Sequence, residues 1–269
     1  MTGAGKPVCV VLGGHGFVGS AVVEEATRRG WTVHGVGRNE YESAKGLTRD
    51  VLVNANGNSR KYLAAHEPKT EFDASVRSVL QSLHDFKYGL YLHLSSIDVY
   101  SNVTDPAQNT EEAPLDIQAL SPYGFHKCLA EQCVRHYARP WLIFRMGGFV
   151  GAGLWKNSIY DLLKRVPLRV DPDSEYQYMH KRDLARMVLD VYERGQANDV
   201  FNICGTGCVS LRSIAALIPG AAVEATKDGR REHYEISTAK LQRLMTVPQS
   251  AESVKAFVEA VLAGKESLA

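Results

Sequence analysis

Residues 6–20 have the sequence KPVCVVLGGHGFVGS, in which an apolar run of strand length leads directly into the spacing Gly13-x-x-Gly16-x-x-Gly19. Charged and apolar residues then alternate at helical spacing from Ala21 to Arg29. The pattern predicts a strand, a tight turn and a helix. Glycines in such a turn let a pyrophosphate approach the backbone, and the N–H groups of the helix N-terminus favour an anion. The stretch predicts a dinucleotide-binding turn, although an ordinary strand-to-helix connection can carry the same glycines.

Composition and charge limit the class of protein. The 269 residues are 45% hydrophobic and 23% charged, which is enough to bury one sizeable core with a small annex. Lys and Arg number 31 against 30 Asp and Glu, so the net charge indicates neither a nucleic-acid partner nor an anionic membrane. We find no signal-peptide pattern and no apolar run of about 20 residues. We therefore expect a soluble, cytoplasmic protein that acts on a small molecule.

The cysteine count favours free thiols. Five cysteines are present, an odd number, and without a secretion signal this argues against a disulfide framework. Cys204 and Cys208 are close in sequence, but no matching His or Cys pair completes a tetrahedral zinc pattern. We therefore predict no metal site.

The end of the second predicted strand, residues 31–36, bears on the choice of cofactor. In dinucleotide-binding folds an acidic side chain near this point accepts hydrogen bonds from the adenine ribose, whereas an arginine can pair with the 2′-phosphate of NADP. Gly37, Arg38 and Asn39 follow the strand, so an arginine is present and an acid is not. This favours NADP, with NAD still allowed. The alternative is a solvent-exposed arginine in a turn.

Polar residues follow the next predicted strand, residues 51–55. The loop that it opens into is Asn54-Ala55-Asn56-Gly57-Asn58-Ser59. The carboxyl end of a parallel strand faces the ligand crevice of such folds. We therefore take Asn54 and Ala55 as candidate cofactor contacts, and Asn56 and Asn58 as candidate substrate contacts. Asn-Gly-Asn is equally ordinary turn chemistry.

A later strand and helix carry side chains suited to acid–base chemistry. The predicted strand at residues 89–94 leads into Ser96, and Ser121-Pro122 is a typical helix start. Tyr123 and Lys127 are four residues apart in that helix, so both lie on one face. An ammonium beside a phenol lowers the phenol pKa and makes it usable near neutral pH, and Ser96 can hold a substrate oxygen against it. Alone, this spacing fits an exposed helix face equally well.

The chain resembles the extended short-chain dehydrogenase/reductase family in the order and separation of three segments. These are the glycine turn, the strand end Ser95–Tyr100 and the helix segment Tyr123–Lys127. These proteins are NAD(P)-dependent epimerases, dehydratases and reductases of nucleotide sugars. The resemblance continues through residues 145–151, 178–184 and 201–205. It implies a Rossmann-type α/β fold, a doubly wound parallel sheet with a small C-terminal α/β substrate lobe.

The resemblance also implies domains and site residues. Residues 1–146 with about 174–205 would bind the cofactor, and about 147–173 with 206–269 would bind the substrate. The implied catalytic residues are Ser96, Tyr123 and Lys127. The cofactor contacts are Gly13, Gly16, Phe17, Val18, Gly19, Arg38, Asn54, Ala55, Tyr123 and Lys127. From their places in the chain, and not from the resemblance, we add Asn56, Asn58, Asp98, Asn157 and Arg231 as candidate substrate contacts, although a basic cluster such as that around Arg231 is more often a solvated face.

The chain departs from the family pattern at two informative places. Family dehydratases carry an Asp-Glu pair after the catalytic Ser or Thr, and Ile97-Asp98 stands here, which disfavours elimination of water. Gly148 stands where an asparagine often contacts the nucleotide phosphates. We therefore predict a nucleotide-sugar epimerase or keto-sugar reductase that moves hydride between the nicotinamide and a sugar carbon. The alternatives are an NADPH-dependent reductase of a smaller carbonyl compound and a non-catalytic NADP-binding protein. The resemblance also allows a homodimer.

Overall fold

The computed structural model describes residues 5–58, 60–221, 223–224, 226–227 and 229–269. Of the regions assigned above, Met1–Ala4, Ser59, Ala222, Ala225 and Asp228 lie outside the described residues.

Strands and helices alternate along much of the chain. The strands are β1 (Val8–Leu12), β2 (Thr32–Val36), β3 (Thr48–Asn54), β4 (Lys87–Ser96), β5 (Trp141–Met146), β6 (Gly148–Val150), β7 (Glu175–Tyr176), β8 (Tyr178–His180), β9 (Asp199–Ile203), β10 (Val209–Ser210) and β11 (His233–Tyr234). The α-helices are α1 (Phe17–Arg28), α2 (Tyr41–Ala44), α3 (Lys61–His66), α4 (Pro68–Phe72), α5 (Ser78–Asp85), α6 (Pro122–Tyr137), α7 (Ser158–Leu163), α8 (Lys181–Glu193), α9 (Leu211–Ala215), α10 (Ala239–Gln242) and α11 (Ser250–Leu262). In the described part of the chain, no helix combines the length and apolar character needed to cross a bilayer.

The largest sheet among the described residues has six strands in the order β2-β1-β3-β4-β5-β9, and the pairs from β2 to β5 are parallel. Residues 9–12, 51–54 and 90–96 of these strands are buried, as expected for a parallel sheet covered on both faces. The strand order reverses between β1 and β3, and folds of this kind bind ligands beyond the strand ends at such a point. The predicted parallel α/β sheet of Rossmann type is confirmed.

The helix before β4 is continuous but irregular. A π-helical segment, Asp73–Arg77, joins α4 to α5. The apolar spacing from Phe72 to Leu83 predicts one regular helix, because a single wide turn hardly changes a periodicity of 3.6 residues. The π-helical turn carries Ser75, whose side chain is buried.

The chain consists of two compact units. The first comprises the described residues of Met1–Ser101, with Pro114–Met146 and Ala185–Phe201. The second comprises Asn102–Ala113, Gly147–Leu184 and the described residues of Asn202–Ala269. Within the second, β10, β7 and β11 form one sheet, β6 pairs with β8, and α11 packs against β8. The assignment of a cofactor-binding and a substrate-binding domain stays a prediction.

Candidate active site

The glycine turn after β1 allows a close backbone approach. Gly13 has a φ of 75°, and its N–H donates to Val36 O at 2.8 Å. A Cβ on Gly19 would collide with Gly13 O, so α1 packs directly on the turn. Gly16 precedes α1, Phe17 and Val18 begin it, and its described first turn holds neither an acidic residue nor a side-chain cap. These residues fit a dinucleotide pyrophosphate, which binds backbone N–H groups at a helix N-terminus.

An acidic side chain lies at the end of β2 after all. Arg38 is exposed there, as the sequence suggests. Glu40 folds back, however, and its Oε2 accepts a hydrogen bond from the Gly37 N–H at 2.8 Å, with His15 Nε2 3.8 Å away. The expectation that no acid lies at this strand end is therefore corrected. Sequence reasoning missed Glu40 because the turn, rather than the strand, brings its carboxylate to Gly37.

The loop after β3 is held by its own side chains. Asn54 is fully buried and donates to Tyr91 Oη at 2.7 Å. Asn58 closes a turn, accepting from the Arg60 N–H at 2.8 Å. Asn56 is exposed. The side chains of Asn54 and Asn58 thus form hydrogen bonds within the protein, so a contact of Asn54 with a cofactor would come from its backbone.

The strand end and the helix start bring Ser96, Tyr123 and Lys127 together. Ser96 ends β4, and the Ser121 side chain caps α6 by accepting from the Gly124 N–H at 3.1 Å. A Cβ on Gly124 would collide with a backbone carbonyl oxygen just after β4, so α6 packs closely against the end of that strand. The Tyr123 phenol lies within interaction range of Ser96 and donates to the Asn58 carbonyl oxygen at 3.1 Å, and Lys127 Nζ lies 5.3 Å from the centre of the Tyr123 ring.

Two carboxylates accompany these residues. Asp98 Oδ2 accepts from the Ser96 hydroxyl at 2.7 Å, and its Oδ1 accepts from Lys61 Nζ at 2.7 Å. The fully buried carboxylate of Glu71 contacts His126 and accepts from the Ser75 hydroxyl. Asp98 is a predicted site residue. The roles of Lys61 and Glu71 were missed, because nothing in their spacing connects them with the strand end.

Burial and the two carboxylates set the protonation of the phenol and the ammonium. Burial, followed by the charges of Asp98 and Glu71, raises the pKa of Tyr123 well above its usual range, and the Ser96 hydrogen bond opposes this. Burial lowers the pKa of Lys127, opposed by the same carboxylates. The expectation of a phenol pKa below its usual value is thus corrected, because a buried phenolate loses hydration and faces two acids.

The same face of α6 continues into a buried polar network. Glu131 pairs with Arg145 of β5, and both side chains are almost completely buried. His93 of β4 is fully buried, and neither of its ring nitrogens has a hydrogen-bond partner among the described residues. Burial, followed by the charge of Lys127, lowers the pKa of His93 to about 3. The sequence shows Arg145 as part of a motif, but nothing in it indicates this pairing.

The remaining predicted substrate contacts lie in the second unit. Asn157 has a φ of 122° and caps α7, accepting from the Tyr160 N–H at 2.9 Å. Arg231 is exposed and lies 3.8 Å from Glu175. Both residues have partners within their own unit, and a contact of either with substrate stays a prediction.

The model of the NAD dependent epimerase/dehydratase family matches residues 9–72 and 50–204. The chain belongs to that family. Its residues Ser96, Tyr123 and Lys127 all fall within the matched part, and the resemblance to extended short-chain dehydrogenases/reductases is confirmed. Among curated protein sequences, none matches the chain.

Solved structures share the fold of this epimerase/dehydratase family member. A UDP-galactose 4-epimerase is 24% identical, with 96% of this chain and 99% of that chain covered and a TM-score of 0.80. A dTDP-4-dehydrorhamnose reductase from Bacillus anthracis, in complex with NADP, is 15% identical over 95% and 99%, with a TM-score of 0.79. A UDP-glucose 4-epimerase from Thermotoga maritima, with UDP-glucose, is 15% identical over 96% and 100%, with a TM-score of 0.76.

Proposed function

We propose that this protein is an NAD(P)-dependent oxidoreductase or epimerase that moves a hydride between the nicotinamide and a sugar carbon of a nucleotide sugar. The observation that carries the proposal is the meeting of Ser96, Tyr123 and Lys127 at the carboxyl end of β4, in the sheet that also holds the glycine turn. Membership of the epimerase/dehydratase family supports it. The named activities of the structural neighbours, epimerisation of UDP-galactose and reduction of a dTDP-linked keto sugar, support the substrate class.

The side chains have distinct roles in this proposal. The nicotinamide, when bound, supplies and accepts the hydride. Tyr123 gives a proton to the substrate oxygen during reduction and takes one during oxidation. Its raised pKa keeps the phenol protonated near neutral pH, which is the form that donates. Ser96 orients the same oxygen, and substrate must replace the hydrogen bond that its hydroxyl now donates to Asp98. Lys127 would hold the nicotinamide ribose, as the family resemblance implies.

We propose NADP as the preferred cofactor, with NAD accepted. The exposed guanidinium of Arg38 follows β2 directly, where charge-assisted hydrogen bonds to a 2′-phosphate are expected. The Glu40 carboxylate at the Gly37 N–H opposes this, because it would repel the same phosphate. Since the two charges act in opposite directions, we expect a moderate rather than an absolute preference.

The second candidate is a reductase of a smaller, non-nucleotide carbonyl compound, and Gly148 favours it. The family resemblance places at this position an asparagine that contacts nucleotide phosphates. A Cβ on Gly148 would lie 2.7 Å from Tyr178 Cδ1 and 2.8 Å from Gln177 O. The fold therefore leaves no room for a side chain there, and a phosphate would have to be bound by other residues.

The test is turnover of a defined substrate panel with each cofactor. UDP-glucose, UDP-galactose, a dTDP-4-keto sugar and small ketones are incubated with the protein and NADPH or NADH. Loss of the reduced-cofactor absorbance with the keto sugar supports a reductase, whereas an inverted sugar stereocentre at constant absorbance supports an epimerase. Reduction of small ketones alone supports the second candidate. Failure of the entire panel would contradict both.

Tyr123→Phe is the matched variant for this panel. It removes the proposed proton donor but keeps the ring, so turnover should fall at least about a hundredfold with little change in cofactor binding. Near-native turnover in the variant would show that another group moves the proton.

A further inference from the structure

A cysteine, a histidine and a glutamate, three residue types that can bind a metal ion, lie close together in the second unit. Cys208 directly precedes β10, His233 begins β11 and Glu235 follows β11. Their ligand atoms, a sulfur, a ring nitrogen and a carboxylate oxygen, all lie within 4.8 Å of one another, and all three residues are partly buried. With bonds of about 2.0 to 2.3 Å, a tetrahedral Zn²⁺ holds its ligand atoms about 3.5 Å apart. His233 Nε2 and Glu235 Oε2 are already 3.3 Å apart.

Backbone pairing holds these residues in place. The central strand β7 pairs with β10 on one side and with β11 on the other. Val209, the neighbour of Cys208, is opposite Tyr176, and His233 is opposite Glu175. The Cys208 thiol donates to the Tyr234 carbonyl at 3.4 Å, which turns the sulfur towards β11. One small sheet therefore presents the whole cluster.

A second carboxylate supports the histidine from its other side. Glu175 Oε2 lies 3.3 Å from His233 Nδ1. A carboxylate on the ring nitrogen away from the metal is a recurring partner of metal-binding histidines, because it sets the tautomer and the ring orientation. Arg231, 3.8 Å from Glu175, contributes a positive charge. A thiolate and two carboxylates would then be balanced by Arg231 and one divalent cation.

We propose that Cys208, His233 and Glu235 bind a divalent cation of the zinc class, with Glu175 as the outer partner of His233 and water in the fourth position. Zn²⁺ is bound in proteins by cysteine sulfur, histidine nitrogen and carboxylate oxygen, which are the three donor types present here.

Cobalt titration of the full chain tests the proposal, because tetrahedral Co²⁺ reports its ligands by colour. Wild type should take up one equivalent and show a near-ultraviolet thiolate-to-cobalt band with visible d–d bands, both removed by Zn²⁺. Cys208→Ser should lose the near-ultraviolet band. Cys133→Ser, which changes a partly buried thiol on α6, should keep it. No such band in wild type, or an equal band in Cys208→Ser, would overturn the proposal and leave an ordinary ion-pair network.

Affinity provides the second measurement. Glu175→Gln keeps all three ligands and should weaken Zn²⁺ binding about ten- to a hundredfold, as expected for an outer partner. His233→Gln should weaken it further and lose the visible tetrahedral bands. If Cys208→Ser does not fold, His233→Gln decides, and an unchanged Zn²⁺ affinity together with an unchanged cobalt spectrum in that variant would overturn the site.

Discussion

Breaking the buried Glu131–Arg145 pair should be among the most damaging single changes in the first unit. Arg145 Nη2 donates to Glu131 Oε2 at 2.8 Å, and its Nη1 donates to Tyr100 Oη at 2.9 Å. The Ser95 hydroxyl donates to Glu131 Oε1 at 2.7 Å. The exposed fractions of the two charged side chains are 2% for Arg145 and 0% for Glu131. Because Glu131 lies one helical repeat beyond Lys127, the pair also anchors the face of α6 that bears Tyr123.

The loss of unfolding free energy depends on whether one charge of the pair is removed or both. Glu131→Leu or Arg145→Met leaves a buried charge without its partner, which should lower the free energy of unfolding by about 3–5 kcal/mol. That is a large part of the about 5–15 kcal/mol that stabilises a typical domain. The double variant removes both charges and should lose only about 2–4 kcal/mol, because the Ser95 and Tyr100 hydroxyls still lose a partner. Additive singles would instead predict a loss of about 6–10 kcal/mol.

Urea unfolding followed by far-ultraviolet circular dichroism measures these differences. Arg28→Met is the matched control, because Arg28 pairs with Glu25 at 2.7 Å but is 69% exposed. An exposed pair contributes at most about 1 kcal/mol, so this variant should unfold almost as wild type does. A loss below about 1 kcal/mol in Glu131→Leu, or additive losses in the double variant, would refute the argument that buried charge dominates.

Three further predictions concern protonation and the cofactor. Asp98→Asn removes a charge that raises the pKa of Tyr123, so the rising limb of kcat/KM against pH for sugar oxidation should move to lower pH. Lys61→Met should move it to higher pH, and equal shifts in both variants would contradict this account. Arg38→Ala should weaken NADPH binding about ten- to a hundredfold and leave NADH binding unchanged in fluorescence titrations, whereas an unchanged NADPH affinity would place Arg38 in solvent. The pKa of His93 is about 3 in the fold against 6.5 in the unfolded chain, so the unfolded chain binds the extra proton between these values. Wild type should therefore lose up to about 1.4 kcal/mol of unfolding free energy for each pH unit of acidification in that window, and His93→Leu should lose less. An equal loss in both proteins would mean that His93 has a partner that keeps it charged.

Local patterns in the sequence predicted several of the strands and helices and the residues chosen for the candidate site. The strand, glycine turn and helix at residues 8–28 and the capped start of α6 depend on contacts within a few residues, so their spacing predicts them directly. The order of these elements then predicts the parallel sheet, which is confirmed. Ser96, Tyr123 and Lys127 could be selected because strand ends of a parallel sheet converge on one edge.

Tertiary structure decided what surrounds those residues. Glu40 reaches the end of β2 through a turn, and Glu71 and Lys61 arrive from helices whose spacing carries no sign of the site. The direction of the pKa shift of Tyr123 depends on burial and on all charges within reach, and neither can be counted from neighbours in the sequence.

Tertiary structure also decided which side chains pair across long distances in the sequence. Arg145 meets Glu131 because β5 packs beneath α6, and Cys208 meets His233 because β7 pairs with strands on both of its sides. Sequence periodicity reports which face of an element is buried. It does not report which element covers that face, because this depends on strand order and packing throughout the fold.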